Sequence, residues 1–292
     1  GRGLRRLLSL QECITRMDKD IVTLAHGSGG QMGRELVRSL LDIFDDPILD
    51  ELEDAALALF EEEHYAGRVV FTTDSYVVRP LFFPGGDIGK LAVCGTINDL
   101  AMRGAVPLYL SAGFILEEGL PLADLKRIVA SMAEVAKEAG VRIVTGDTKV
   151  VERGSADKLF LNTAGVGVVP ADVHISASAA RPGDVIILSG AVGDHGLAIM
   201  TQREGLRFES PLRSDCAPLH TLVQDMLEAS PHIHTLRDPT RGGLATTLNE
   251  LADQSGVGMR IEETSIPIHE PVRAASELLG LDPLYVANEG KL

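Results

Sequence analysis

The sequence is short of basic charge. It has 27 Lys and Arg against 42 Asp and Glu, a formal net charge of −15 over 292 residues. No basic stripe is available for a nucleic-acid backbone, and an anionic membrane surface would repel such a chain. Cysteine is scarce as well. Cys13, Cys94 and Cys216 are widely spaced and form no CxxC pair, which argues against a disulfide scaffold or a zinc site and fits a reduced, cytoplasmic setting. No apolar run approaches the roughly 18–20 residues of a membrane helix. The usual nucleotide loops are missing too: no GxxxxGK[ST] occurs, and Met32 stands where a GxGxxG would need its third glycine after Gly27 and Gly29. Ser28 and Ser189 have no GxSxG around them, and His26, His195 and His220 have no metal-ligand spacing.

A hydrophobic fraction of 45% is ordinary for a chain with a real core, and the length suggests one large domain or two medium ones. The turn signal Arg181-Pro182-Gly183-Asp184 places a boundary near residue 180. We expect a first domain over residues 21–180 and a second over 181–292. Residues 1–20 begin basic and weakly apolar, and read as a tag, an upstream read-through or a disordered lead. Helices are predicted at 31–44, 90–103, 122–139, about 215–229, 242–255 and 270–279. Strands are predicted at 69–78, 108–116, 141–151 and 159–169, and at the VIILSG run after Asp184. Met32, Leu36, Val37, Leu40, Leu41 and Phe44 share one helical face, and so do Leu122, Leu125, Ile128, Val129, Met132 and Val135. Strands and helices mix without strict βαβ alternation, so the expected class is α+β.

The chemistry is suggested by acids in apolar surroundings. Asp74 sits inside TTDSYV, Asp99 in a helix beside Ile97 and Leu100, Asp147 in VTGDTKV, Asp194 in GAVGDHG, Asp238 in LRDPTRGG and Asp54 in LEDAAL. A buried carboxylate is costly unless paired or bound to a cation, and an all-oxygen set suits Mg²⁺ with substrate phosphates. Each acid alone also reads as a turn or N-cap residue, Asp238 above all, since Asp-Pro-Thr before a helix is good capping chemistry. The ten acids between Asp42 and Glu63, with no Lys or Arg among them, otherwise read as a solvated face. His26-Gly27-Ser28-Gly29-Gly30 before a helix could cradle an anion or serve as a flexible linker. Lys149, following Gly146-Asp147-Thr148, could grip a phosphate or protect a strand edge.

Taken together, AHGSGG, the long TTDSYVVRPLFFPGGDIGKLAVCGTINDLAMRGAVPLYLSAGFILEEG, VTGDTKVVERG, SGAVGDHG, LRDPTRGGL and VANEGKL closely resemble the HypE family of hydrogenase maturation proteins, the carbamoyl dehydratases. The resemblance runs from about residue 21 to residue 292. Its wider superfamily includes aminoimidazole ribonucleotide synthetase, selenophosphate synthetase and thiamine-monophosphate kinase.

The resemblance implies a two-domain α+β fold with a dimeric β-barrel in the first domain. It also implies an ATP- and Mg²⁺-dependent dehydration of a carboxamide, carried on the C-terminal cysteine thiol, to a thiocyanate. The implied partners are a second copy, the carbamoyltransferase HypF and a HypC–HypD scaffold, with no nucleic acid and no membrane. Carried over by motif, Asp54, Asp74, Asp99 and Asp238 become metal ligands. Gly27, Ser28, Gly29, Gly30, Asn98, Gly146, Asp147 and Thr148 become ATP contacts, and Lys149 and Glu289 become catalytic. This chain stops at Gly290-Lys291-Leu292, where the family continues to a terminal cysteine, so we expect an unfinished second domain with exposed apolar surface and no self-contained turnover. Another Mg-ATP enzyme of the superfamily and a nucleotide-gated scaffold are the competing readings.

Overall fold

A computed structural model describes residues 21–27, 30–45, 67–206 and 212–292. Two helices, α1 (Leu24–Gly27) and α2 (Gly30–Phe44), precede a sheet of β1 (Gly67–Tyr76), β4 (Val106–Glu117), β5 (Arg142–Val151) and β6 (Leu159–Pro170). A small hairpin of β2 (Phe82–Phe83) and β3 (Gly86–Asp87) leads into α3 (Ile88–Ala101), and α4 (Leu122–Glu138) connects β4 to β5. The sheet order is β1-β6-β4-β5. The two contacts of β6 are antiparallel, and β4 and β5, joined through α4, are parallel.

The β1 residues Val70, Thr72, Asp74 and Tyr76 turn inward, while Val69, Phe71, Thr73 and Ser75 face out, the period-two alternation of a pleated strand. The inner face is covered by α3, with α4 packed beyond it. Twelve of the fourteen residues of α3 are buried, which marks a helix enclosed on all sides rather than one with a wet face. Its first turn is capped by Asp87, whose carboxylate accepts from Gly89 N at 2.8 Å and Lys90 N at 3.1 Å. Gly89 permits the close approach to α4, since a Cβ there would stand 2.5 Å from the Ile128 carbonyl oxygen. The α4 face predicted from spacing is buried at Leu125, Ile128, Val129, Met132 and Val135. On α2, Leu36 and Leu40 are buried, but Met32 is 41% exposed at the helix start.

The second half carries α5 (Asp194–Arg203), α6 (His220–Ala229), α7 (Gly243–Ser255) and α8 (Glu270–Leu279), with short 3₁₀ turns at Glu263–Ser265 and Pro283–Tyr285. Two expectations need correction. The VIILSG segment forms no strand, because no neighbouring chain offers it a hydrogen-bonding ladder among the described residues; Val185 and Ile187 stand 82% and 75% exposed. The helix expected from about 215 begins at His220, since Pro218 cannot supply a helical N–H and disfavours helix at Ala217, so Cys216 lies in irregular chain. Within one chain the first-domain sheet is open: among the described residues β1 and β5 each have one neighbour. No helix among the described residues is long and apolar enough to cross a membrane.

Candidate functional site

A cleft of about 1030 Å³ opens where the inner end of β1 and the Gly95–Asp99 turn of α3 meet the second half. Thr72, Asp74 and Tyr76 come from β1, Gly95 and Asp99 from α3, His195 and Ile199 from α5, Asp238 and Arg241 from the loop before α7, and Glu289 from the last segment. Residues more than 200 positions apart thus share one wall. The Thr72 hydroxyl donates to Asp99 Oδ2 at 2.9 Å, and Arg241 Nη2 reaches Asp74 Oδ1 at 3.4 Å from a side chain that is 90% exposed.

The electrostatics record the crowding. Burial, then the charge of Asp74, raise the Asp99 pKa, with the Thr72 hydrogen bond opposing. Burial and the neighbouring Asp99 push Asp238 up to about 6. Glu289 is raised well above the ordinary carboxylate range by burial and by Asp238, Asp215 and Asp74. His195 is driven down to about 4 by burial and is neutral, with Nδ1 at 2.8 Å from the Ser214 hydroxyl. The capping reading of Asp238 is excluded, since α7 takes Gly242 as its N-cap with no side-chain bond.

One consequence is measurable. An unfolded Asp ionises near pH ~4, whereas Asp238 keeps its proton in the folded state up to about 6, so folding stability falls as pH rises through that window. Asp238→Asn removes the penalty. Its melting temperature is expected to exceed that of the wild-type protein at pH 8, with the gap closing toward pH 4, in thermal melts across that range.

Glu289 is held by two residues that the sequence reading passed over. Asp215, buried, accepts from Glu289 N at 3.1 Å and Gly290 N at 3.3 Å, and pairs with Lys291 Nζ at 3.2 Å. Asn288, 1% exposed, donates to Pro239 O at 2.9 Å and accepts from Gly193 N at 2.7 Å, tying the last segment both to the Asp238 loop and to the start of α5. The visible hint was an amide and an acid embedded in apolar runs, in YVANEG and SDCAPL.

The sequence-derived candidates divide into groups. Asp74, Asp99, Asp238 and Glu289 converge on the cleft. Asn98 lies behind it: its amide donates to Ala217 O at 3.1 Å and Glu289 O at 3.3 Å, and its oxygen accepts from Leu219 N at 2.8 Å, so all three bonds go to backbone that supports Glu289. Gly146, Asp147 and Thr148 form no turn; they continue β5, opposite Ala112, Gly113 and Phe114 of β4. Lys149 pairs with Ile115, which is 42% exposed, whereas Asp74 pairs with Thr163, which is 0% exposed. Paired residues share a face, so Lys149 and Asp74 lie on opposite faces, on opposite edge strands. Gly27 ends α1 and Gly30 begins α2, while Ser28, Gly29 and Asp54 fall outside the described residues. Among the described residues, no three His, Cys, Asp or Glu side chains are close enough to hold a metal by themselves.

This arrangement of an α/β first half and a helical second half around an acidic cleft is that of the AIR synthase related class. Residues 52–169 match the family "AIR synthase related protein, N-terminal domain", and residues 181–292 match its C-terminal domain. The carbamoyl dehydratase HypE of Azotobacter vinelandii is 61% identical over 272 residues, covering 93% of this chain and 79% of the relative. A crystal structure of hydrogenase maturation protein HypE in complex with ATP superposes with a TM-score of 0.88 at 54% identity, covering 92% of this chain and 79% of that one. A HypE–HypF complex structure matches with a TM-score of 0.75 at 52% identity, covering 90% and 83%. The chain belongs to the HypE family of carbamoyl dehydratases.

Proposed function

We propose that this cleft uses ATP to dehydrate a thiol-bound carboxamide to a thiocyanate, the source of a cyanide ligand for a nickel–iron hydrogenase. The observation that carries the reading is the meeting of Asp74, Asp99, Asp238 and Glu289 in one cleft of a chain 54% identical to a HypE solved with ATP. The donor set fits Mg²⁺. Asp74, Asp99 and Asp238 supply carboxylate oxygens crowded enough that Asp74 raises the proton affinity of Asp99, and both raise that of Asp238, while Arg241 pairs with Asp74 from the exposed side. Mg²⁺ takes one or two carboxylates and completes its shell with water and phosphate oxygens, so a three-acid cage is not required. When bound there it would neutralise phosphate charge.

The chemistry asks for two things. The carboxamide oxygen attacks the γ-phosphorus, forming an O–P bond as the bond to ADP breaks, and this needs positioning and charge neutralisation. Loss of phosphate from carbon then needs the nitrogen protons removed. Glu289 is the assigned base, and its raised proton affinity makes its carboxylate a stronger one when ionised. HypF is the carbamoyl donor in this reading and HypC–HypD the acceptor complex, supported for HypF by the relative solved with it. The buried free thiols of Cys94 and Cys216 suit a cytoplasmic site.

The outward face of the sheet is assigned to a second copy. Val69 and Phe71 stand 68% and 67% exposed there, with Ile115 at the far end of the same face, and edge closure into a barrel needs strands from another chain. Lys149 lies on that face, so its proposed role near the substrate depends on the dimer. Phe71→Asp is expected to convert a dimer to a monomer in light scattering and to lose turnover with it.

The direct test supplies the substrate in trans. A peptide ending in S-carbamoylcysteine is expected to release phosphate from Mg-ATP and lose one water by mass spectrometry. ATP binding without peptide-dependent phosphate release would favour a scaffold instead.

A further inference from the structure

One polar group on the cleft wall has no part in the scheme above. Tyr76, at the inner end of β1, borders the cleft although it is 6% exposed. Its hydroxyl lies against α3 at a glycine: a Cβ on Gly95 would stand 2.3 Å from it. From there a chain of hydroxyls runs into the core. Tyr76 Oη is 3.4 Å from Thr96 Oγ1, Thr96 Oγ1 is 2.5 Å from Thr163 Oγ1, and Thr163 Oγ1 donates to the Ala92 carbonyl at 3.2 Å. Thr96 and Thr163 are both 0% exposed, so no water enters the accounting.

Each hydroxyl has one hydrogen, and a carbonyl can only accept. Thr163 therefore spends its hydrogen on Ala92. Thr96 must donate to Thr163, and Tyr76 must donate to Thr96. What remains on the phenol is lone-pair density, on a side chain that lines the cleft beside Gly95. We infer that Tyr76 is a fixed hydrogen-bond acceptor that holds an N–H of the substrate's carboxamide group. The inference rests on the dehydratase reading and deepens it. A carboxamide whose oxygen must reach phosphorus has to be recognised through its NH₂, which offers two donors. Glu289 takes one and leaves as the base; the other needs an acceptor that does not compete for the proton. A phenol turned the other way would bind the carboxamide oxygen and oppose its phosphorylation. Tyr76 would thus also discriminate against carboxylate and ester analogues, which have no N–H to offer.

Tyr76→Phe keeps the ring and deletes the acceptor. With the S-carbamoylcysteine peptide it is expected to lower kcat about tenfold, while the KM for ATP stays within twofold. Thr96→Val removes the receiver of the phenol hydrogen without altering any polar group that faces the cleft. It should lower kcat in the same direction, which a merely structural Tyr76 would not. The C–O stretch of Tyr76, isolated as the infrared difference between wild type and Tyr76→Phe, should be that of a donating phenol, and should change in Thr96→Val. A Tyr76→Phe enzyme within twofold of wild type, or a stretch typical of a phenol that only accepts, overturns the inference. Absence of peptide-dependent phosphate release in the wild-type protein would overturn the dehydratase reading and the substrate contact with it. The infrared band would still judge the direction of the hydroxyl separately.

Discussion

A Glu289→Gln variant is expected to lose at least ~100-fold of the peptide-dependent phosphate release while its ATP affinity changes by less than about threefold, as a general base contributes roughly 10²–10⁴-fold. The substitution keeps size and leaves the supporting bonds in place, because Asp215 and Asn98 hold the backbone of residue 289 and not its carboxylate. The lost group is one whose proton affinity burial has already raised. Single-turnover phosphate release with the carbamoylated peptide, beside equilibrium ATP binding, separates the two quantities. Equal loss in both would assign Glu289 to nucleotide or metal binding. Normal turnover would remove it from the chemistry.

The second large effect is expected one residue further on. Gly290→Ala places a Cβ 1.9 Å from the Asp215 carbonyl oxygen and 3.0 Å from Ala217 N, inside backbone that cannot yield. The chain must then retreat from Asp215, giving up the bonds that the Asp215 carboxylate makes to Glu289 N and Gly290 N. That carboxylate is 4% exposed in its side chain and keeps Lys291 as a partner at 3.2 Å, so part of a buried charge is left unsatisfied. A destabilisation of about 3 kcal/mol or more is in the range for overpacking combined with loss of buried polar bonds. Denaturant melts should show it. Activity should fall further than the folded fraction, because Glu289 moves with the strand of chain it sits on. An alanine variant with wild-type stability would mean that the 212–219 segment yields, and that its grip on Glu289 is slack.

Local order was legible because it depends on near neighbours. The helical spacing over 122–139 and the alternation in β1 each follow from which side chains must face a core, and both are found as expected. The start of α6 was misjudged where a proline decided it, and α5 was not anticipated because its glycine N-cap, Gly193, resembles an ordinary loop residue. VIILSG has the composition of a strand, but a strand needs a ladder of bonds to a neighbour, and the bond from Ser189 N to Leu292 O at 3.0 Å does not grow into one.

The site was legible only in part. Acids stranded among apolar residues were a sound signal, since burying charge requires a reason, and Asp74, Asp99, Asp238 and Glu289 do converge. The signal could not say which side of the sheet a residue faces. Lys149 and Asp147 stood in a motif as suggestive as any, yet register turns them away from the cleft. Asn98, which the resemblance places at the nucleotide, bonds the backbone at 217, 219 and 289 and so ties α3 to the last segment.

The sequence by itself determined the α+β class, the shortage of basic charge, the lack of an apolar run of membrane-helix length, the positions of most helices and strands, and the motifs that place the chain in its family. Those follow from composition and from periodicities of two and 3.6 residues, which act within a few turns of chain. Only the tertiary structure decided that four carboxylates share one cleft while Lys149 does not, that Asp215 and Asn288 hold the segment carrying Glu289, and that Tyr76 heads a chain of buried hydroxyls. Each of those depends on contacts between residues tens to hundreds of positions apart. Strand register, close backbone approach at Gly95 and Gly290, and the satisfaction of buried polar groups set them, and no local spacing encodes those terms.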